Sequence, residues 1–163
     1  MFKSRDRSME SRLNKKLVLR NSIMFPEVAK LISEGKSVTM KVKGNSMLPF
    51  IKDGETIKLV KTNHLKLYDI VLARIDDEQY VLHRIIRMKD NQLLLMGDGN
   101  LKGCERCKVE DVLALAAIKV NDKKEYDFRS DSHLKKARIW NFLLPIRRYL
   151  LFIYKLTLKI FQR

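Results

Sequence analysis

The sequence predicts a mainly β protein with an antiparallel sheet, a short helix before the sheet and an amphipathic helix after it. Apolar and polar residues alternate in short runs between residues 38 and 120, as expected for half-buried strands. Turn-forming residues separate these runs, and no helical pattern lies between them, so parallel crossover units are not expected. A chain of 163 residues that is 45% hydrophobic is long enough to bury one core.

The first predicted helix follows a basic arm, residues 1–25, in which we expect at most a short helix around Leu13–Leu19. Pro26 is favourable in the first turn of a helix, and Gly35 is a typical residue for its end. The apolar residues between them that share a face are Val28, Leu31 and Ile32.

Six strands are predicted next, within a β domain that we place at residues 26–120. The first contains the alternating residues Val38, Met40 and Val42. The others are Thr56–Val60, Asp69–Ile75, Tyr80–Met88, Gln92–Met96 and Asp111–Val120. Residues 121–133 are polar, and we interpret them as a linker.

Residues 134–163 form the last predicted unit, a basic amphipathic helix without a single acidic residue, in which Pro145 kinks the helix or starts its second half. Polar residues fall in one arc: Asn141, Arg147, Arg148, Lys155, Lys159 and Gln162. The opposite face is apolar: Phe142, Ile146, Tyr149, Leu150, Ile153, Leu156 and Ile160. Basic interruptions argue against a spanning helix, which needs about 20 apolar residues. The pattern favours an anionic membrane surface, and packing on the β domain or on a second copy is the alternative.

The composition indicates which class of partner and which cofactors to expect. The net charge of +15 indicates an anionic partner or surface. The sequence predicts neither a metal nor another cofactor, because Cys104 and Cys107 form a single Cys-x-x-Cys without a matching second ligand pair. We interpret them as reduced thiols. Residues 1–20 are too charged to contain the apolar core of a secretory signal.

The candidate catalytic residue of the chain is Ser46, in the stretch Val42–Pro49. Gly44 permits a tight turn at the end of a strand, and Pro49 prevents a helix from forming. This combination predicts a serine hydroxyl on a rigid bend. Such a hydroxyl becomes a nucleophile only when a neighbouring base accepts its proton.

Three stretches together resemble the signal peptidase I and LexA-like serine peptidase superfamily. They are Gly44-Asn-Ser-Met-Leu-Pro49 with Asp53-Gly54, Tyr68-Asp-Ile-Val71, and Tyr80-Val-Leu-His-Arg84 with Gly97-Asp-Gly-Asn100. The resemblance covers residues 38–120 and implies the fold of that superfamily. It also implies that Ser46 is the nucleophile, that His83 is the base of the Ser-His variety found in archaeal and endoplasmic-reticulum signal peptidases, and that Asp98 helps to order the site.

The chain departs from the pattern of this superfamily at two positions. Gly44 stands where many signal peptidases carry a serine that supports the oxyanion, so we expect backbone N–H groups to do this and place the substrate and oxyanion contacts at Gly44, Asn45 and Met47. Cys104 stands where the endoplasmic-reticulum enzymes carry an aspartate that orients the histidine. Either Asp98 takes this role as the third catalytic residue, or the base is less firmly held.

His83 also fits a base on physical grounds. On a strand it shares a face with Val81 and Ile85, and such an apolar setting keeps the imidazole neutral. His64, in a polar connector beside lysines, is the weaker alternative. A lysine base is not favoured either, because the candidate lysines alternate with apolar residues on predicted strands, as expected for the solvent-exposed face. Those lysines are Lys41, Lys43 and Lys58.

The sequence thus predicts a serine endopeptidase that cleaves a leader or signal segment of a peptide or protein precursor. With basic residues at both ends, we expect it on the cytoplasmic side of a membrane, held peripherally by its last helix. We do not expect nucleic acid as a partner. The alternatives are a LexA-like regulatory protein that cleaves itself, and a non-catalytic basic module that binds a membrane or nucleic acid.

Overall fold

The computed structural model describes residues 21–75, 79–121 and 124–161 of the chain. Their core is a single sheet of eight strands, in which every pairing is antiparallel. The strands are β1 (Val38–Lys41), β2 (Thr56–Val60), β3 (Ile70–Arg74), β4 (Tyr80–Lys89), β5 (Gln92–Met96), β6 (Glu105–Lys108), β7 (Val112–Asn121) and β8 (Lys124–Asp127). They are ordered β1-β2-β7-β3-β4-β5-β6, and β8 pairs with β7. The predicted fold class is confirmed.

Three helices accompany the sheet: α1 (Asn21–Ser33), α2 (Asp131–Phe142) and α3 (Arg147–Phe161). The predicted first helix begins earlier than expected, so that Pro26 lies inside α1 instead of opening it. Tertiary packing explains the extra turn, because Met24 and Phe25 lie against the core and the Phe25 ring lies 4.9 Å from the ring of Tyr80. The basic arm up to residue 20 lies outside the described residues.

The core occupies both faces of the sheet, as the central strand β3 shows. Ile70 and Leu72 belong to one apolar cluster, which α1 covers with Val28 and Ile32. Val71 belongs to the cluster on the other face, with Ile85 and Leu95 as further members. Burial on both faces explains why β3 is a continuous apolar run rather than an alternating one.

The segment predicted as a polar linker is more structured than its composition suggests. It contains β8 and the beginning of α2. Asp69 is buried, and its carboxylate accepts hydrogen bonds from Arg129, whose Nε lies 2.9 Å from Asp69 Oδ1. This ion pair fixes the connection between β8 and α2 to the beginning of β3.

The C-terminal region consists of two helices, with Pro145 in the turn between them. None of the helices among the described residues is long and apolar enough to cross a membrane. Arg147, expected on the exposed polar arc, is only 2% exposed. It donates from Nη1 to the carbonyl of Asn100 over 3.2 Å and from Nη2 to that of Trp140 over 3.1 Å. The first residue of α3 thus ties both helices to the end of the sheet.

Candidate active site

Ser46 lies in a turn whose two ends are held by the sheet and the core. Gly44 has a φ of +99°, and its N–H donates to Asp53 Oδ1 over 2.7 Å. Met47 is 1% exposed, and its carbonyl accepts from the N–H groups of Phe50 and Ile51. The bond to the Asp53 side chain on one side, and the backbone bonds of the buried methionine on the other, therefore fix the turn around the serine.

This geometry bears on two of the predicted contact residues. The N–H of Gly44 is occupied by Asp53, and the side chain of Met47 lies in the core cluster rather than on the surface. In the described part of the chain, the N–H groups of Asn45, Ser46 and Met47 donate no hydrogen bond. These N–H groups, and not that of Gly44, are therefore free to meet a developing negative charge.

A second turn, Gly97–Asn100, packs directly on the serine turn. The N–H of Gly99 donates to the carbonyl of Ser46 over 2.7 Å. A Cβ atom on Gly97 would lie 2.5 Å from the same oxygen, and one on Gly99 would overlap the carbonyl of Asn45. Both glycines are therefore needed for the two turns to approach each other.

The register of β4 and β5 relates His83 to this contact. Arg84 pairs with Met96, so His83 faces Gly97 one step beyond the last pair of the ladder. Directly opposed residues of antiparallel strands project on the same face of a sheet. Because the carbonyl of Ser46 occupies the place of a Gly97 side chain, we expect the serine turn to lie on the same face as the imidazole.

The imidazole of His83 is buried and bound to a carboxylate that the sequence did not single out. Its Nδ1 lies 2.8 Å from Oε2 of Glu105, and the two side chains are 8% and 25% exposed. Glu105 opens β6 and pairs with Leu95, which in turn pairs with Ile85 on the strand of the histidine. The imidazole and the carboxylate therefore project on the same face of the sheet. Within the described residues, Nε2 has no hydrogen-bond partner.

Asp98 serves a different partner from the one expected. Its carboxylate accepts from Nε of Arg84 over 2.8 Å and from Nη2 over 2.7 Å, and both side chains are almost fully buried. The guanidinium also donates to the carbonyl of Tyr68 and lies 4.9 Å from the ring of Phe50. The structure therefore places Glu105, not Asp98, on the histidine. Asp98 neutralises the buried Arg84 and orders the turn that supports Ser46.

One feature of the sequence indicated the position next to Glu105, but not Glu105 itself. The resemblance places the orienting acid at the position of Cys104, and the glutamate is the next residue along the chain. Moreover, β6 is only four residues long and three of them are charged, so its sequence does not show the alternating pattern of a strand. A search for any carboxylate within one residue of Cys104 would have found it.

His133 belongs to a further polar cluster behind the serine turn. Its ring packs edge-on against Phe50 and Phe128, and its Nε2 lies 3.5 Å from Nη2 of Arg84. Burial and the neighbouring Arg84 lower the pKa of His133 to about 4. The indole of Trp140 donates to the carbonyl of Asp98 over 2.8 Å. The cluster connects α2 to the Asp98 turn.

The alternative bases and the two cysteines are exposed to differing degrees. His64, Lys41 and Lys43 are exposed on the surface, and Lys58 is half-buried. Cys104 and Cys107 are free thiols, and burial raises the pKa of Cys107 to about 11. Over the described ranges, no three His, Cys, Asp or Glu side chains are grouped as metal ligands would be.

Comparison with known proteins shows the family of the chain. No curated protein is significantly similar to the chain. The model of one protein family, described as Peptidase S24-like, matches residues 6–110, which is more than half of the chain and includes Ser46, His83, Asp98 and Glu105. The superfamily suspected from the three sequence stretches is thereby confirmed, and the chain belongs to the Peptidase S24-like family.

Proposed function

We propose that the chain is a serine endopeptidase in which Ser46 attacks the scissile carbonyl, His83 accepts the proton of the hydroxyl, and Glu105 holds the imidazole. The observation that carries this proposal is the hydrogen bond of 2.8 Å between His83 Nδ1 and Glu105 Oε2. An ionised carboxylate only accepts hydrogen bonds, so Nδ1 carries the proton and Nε2 is left as the acceptor for Ser46.

The chemistry follows the acyl-enzyme route. As Ser46 Oγ forms a bond to the substrate carbonyl, its proton passes to His83 Nε2, which later gives it to the leaving amine. Water then hydrolyses the ester on Ser46, with His83 again as the base. The carboxylate of Glu105 stabilises the transient imidazolium and fixes its orientation.

The charge on the substrate oxygen needs donors that are already in place. The N–H of Ser46 and that of a neighbour in the same turn are suited to this role, because they have no partner among the described residues. Gly99 fixes the peptide group between Ser46 and Met47, since its N–H binds the Ser46 carbonyl over 2.7 Å, and so sets the direction of the Met47 N–H.

The substrate is proposed to bind as an extended strand. In the described part of the sheet, β1 pairs only with β2, so its other edge is open. The chain leaves β1 and enters the serine turn within a few residues. A peptide added to this edge would thus be led to Ser46, and a leader or signal segment of a precursor is the substrate that the resemblance suggests.

A serine-reactive acylating probe tests the proposal directly. We expect labelling of the native protein at Ser46, and its loss in Ser46→Ala and His83→Ala. Ser37→Ala and His64→Ala are matched controls, because both residues are exposed. Cleavage of a peptide substrate should fall by roughly 10⁴-fold in the first two variants. Full activity of Ser46→Ala would refute the proposal.

Family membership favours one second candidate, a LexA-like protein that cleaves its own chain. The chain contains no Ala-Gly pair, which is the self-cleavage site of such repressors. The mass of the intact protein after long incubation separates the two functions. A stable mass together with cleavage of an added peptide supports the endopeptidase.

A further inference from the structure

The last helix has three longitudinal sectors, and among the described residues only one of them packs on the rest of the protein. Arg147 and Leu151 are buried, and Tyr154 and Leu158 are half-buried, at the spacing of one helix face. Arg148, Lys155 and Lys159 lie along the next sector and are exposed. We call these three residues the basic flank.

The third sector is apolar and turned away from the sheet. We call it the outer face, and it consists of Tyr149, Phe152, Ile153, Leu156 and Ile160. These side chains are between 44% and 69% exposed. Phe142, at the end of α2, is 83% exposed. Isolated exposed apolar residues are common in proteins, whereas a contiguous stripe of this size marks an interaction surface.

The charge of this region restricts what can cover the outer face. No Asp or Glu occurs anywhere between residues 134 and 163. A symmetric pair of copies joined through this face would bring two basic flanks close together, without any acid of the same segment between them. An anionic lipid leaflet can cover both the apolar outer face and the basic flank. Its acyl region accepts the apolar side chains, and its phosphates bind the lysines and the arginine.

We propose that the outer face and the basic flank of α3, together with Phe142, dock on the headgroup region of an anionic membrane leaflet. The helix lies parallel to the surface, and its fifteen residues extend over about 22 Å along the leaflet. The buried sector, headed by Arg147, keeps the helix attached to the β domain while its other sectors face the lipid.

Docking in this orientation brings the candidate active site close to the leaflet. A groove of about 430 Å³ runs between α3 and the glycine turn, and its lining includes Leu101, Phe152 and Gly99. Gly99 also donates to the carbonyl of Ser46. If the proposed peptidase function holds, the substrate is a segment that emerges from, or lies on, the membrane surface. Docking itself does not depend on catalysis.

Flotation of the full chain with lipid vesicles tests the proposal. The Ser46→Ala variant should float with vesicles of phosphatidylglycerol and phosphatidylcholine as the native protein does, which separates docking from activity. Binding should weaken as salt is raised and should be several-fold weaker with phosphatidylcholine alone. Failure of the native protein to float with the anionic vesicles would overturn the proposal.

Two double variants test whether the membrane-binding surface is the outer face and basic flank of α3. Phe152→Glu/Ile153→Glu should lose at least tenfold in vesicle affinity. Lys155→Glu/Lys159→Glu should lose most of the part of the vesicle affinity that depends on the salt concentration. Lys66→Glu/Lys89→Glu is the matched control, because it makes the same charge change at exposed residues of the β domain. Equal losses in the lysine pairs, or retained binding in the Phe152 and Ile153 variant, would contradict docking through α3.

The mass of the protein in solution tests the alternative that a second copy of the chain covers the outer face. Sedimentation should show that the native protein is a monomer without lipid. A dimer that Phe152→Glu/Ile153→Glu dissociates would assign the outer face to a second copy instead. Unfolding midpoints in urea check that the variants are folded, and the milder Phe152→Ser/Ile153→Ser replaces the glutamate variant if that one is not.

Discussion

His83 and Glu105 meet across three strands, with His83 Nδ1 2.8 Å from Glu105 Oε2. The histidine lies on β4 and the glutamate on the edge strand β6, so the bond crosses above β5. Ile85, Leu95 and Glu105 are directly opposed, so the glutamate projects on the same face of the sheet as His83, which lies two residues before Ile85. The tautomer of His83 therefore depends on the register of three strands rather than on a local motif.

Glu105→Gln should reduce the catalytic rate by roughly 10²-fold to 10⁴-fold while leaving the fold intact. An amide can offer its NH₂ group to Nδ1 and so stabilise the wrong tautomer, and it cannot neutralise the imidazolium. Single-turnover cleavage measures the effect. Glu110→Gln is the matched control, because Glu110 is exposed and its ion pair is with Lys108. Equal rates for the two variants would remove Glu105 from the mechanism.

The ion pair between Arg84 and Asp98 should contribute mainly to the stability of the fold rather than to catalysis. Arg84→Met leaves a buried carboxylate without its partner, and we expect a loss of about 3–5 kcal/mol in the free energy of unfolding. The double variant Arg84→Met/Asp98→Leu should lose less than the sum of the single variants, because no buried charge is left unpaired. Urea unfolding measures all three, with Lys108→Met expected within about 0.5 kcal/mol of the native protein. Strictly additive losses would mean that the pair is not coupled.

The sheet was largely predictable because its strands have regular apolar patterns and clear turn signals. Thr56–Val60 and Gln92–Met96 were predicted with the bounds that the structure shows. β6 and β8 were missed, since each has four residues and a mostly polar composition. Their place in the sheet comes from pairing with a neighbour, a tertiary effect that local patterns do not carry.

The candidate site was predictable only in part, for a similar reason. Ser46 and His83 stand in recognisable sequence contexts, and the structure places the turn of Ser46 against the glycine that faces His83. The partners of the two carboxylates were not predictable from spacing. Asp98 pairs with Arg84, and Glu105 pairs with His83, because strand register decides which side chains meet. Arg147 was likewise misplaced, since helical periodicity does not reveal that a guanidinium finds buried carbonyl acceptors.

Gly97→Ala should reduce peptidase activity by roughly 10²-fold through displacement of the serine turn. The added Cβ would lie 2.5 Å from the carbonyl oxygen of Ser46, which is backbone and cannot rotate away. Gly35→Ala is the matched control. Gly35 has a φ of +79° and open space around it, so that change should cost about 1 kcal/mol in stability without loss of activity. Steady-state cleavage and urea unfolding separate the two effects, and a fully active Gly97→Ala would show that the turn tolerates movement.

His133 should make the folded state less stable as the pH falls from about 6.5 to about 4. Burial lowers the pKa of its imidazole to about 4, whereas an unfolded histidine titrates near 6.5. Within this window the unfolded chain binds a proton that the folded chain excludes, so the free energy of unfolding decreases as the pH falls and is fully restored above the unfolded pKa. The charges that act on the ring are Arg84, Lys136, Lys119 and Asp127. Urea unfolding across this range should show a difference between native protein and His133→Phe that changes with pH, because all carboxylates and the other histidines are common to both. The exposed His64, changed to Gln, serves as the control, and a difference that stays constant from pH 4 to pH 7 would contradict a neutral His133 in the folded state.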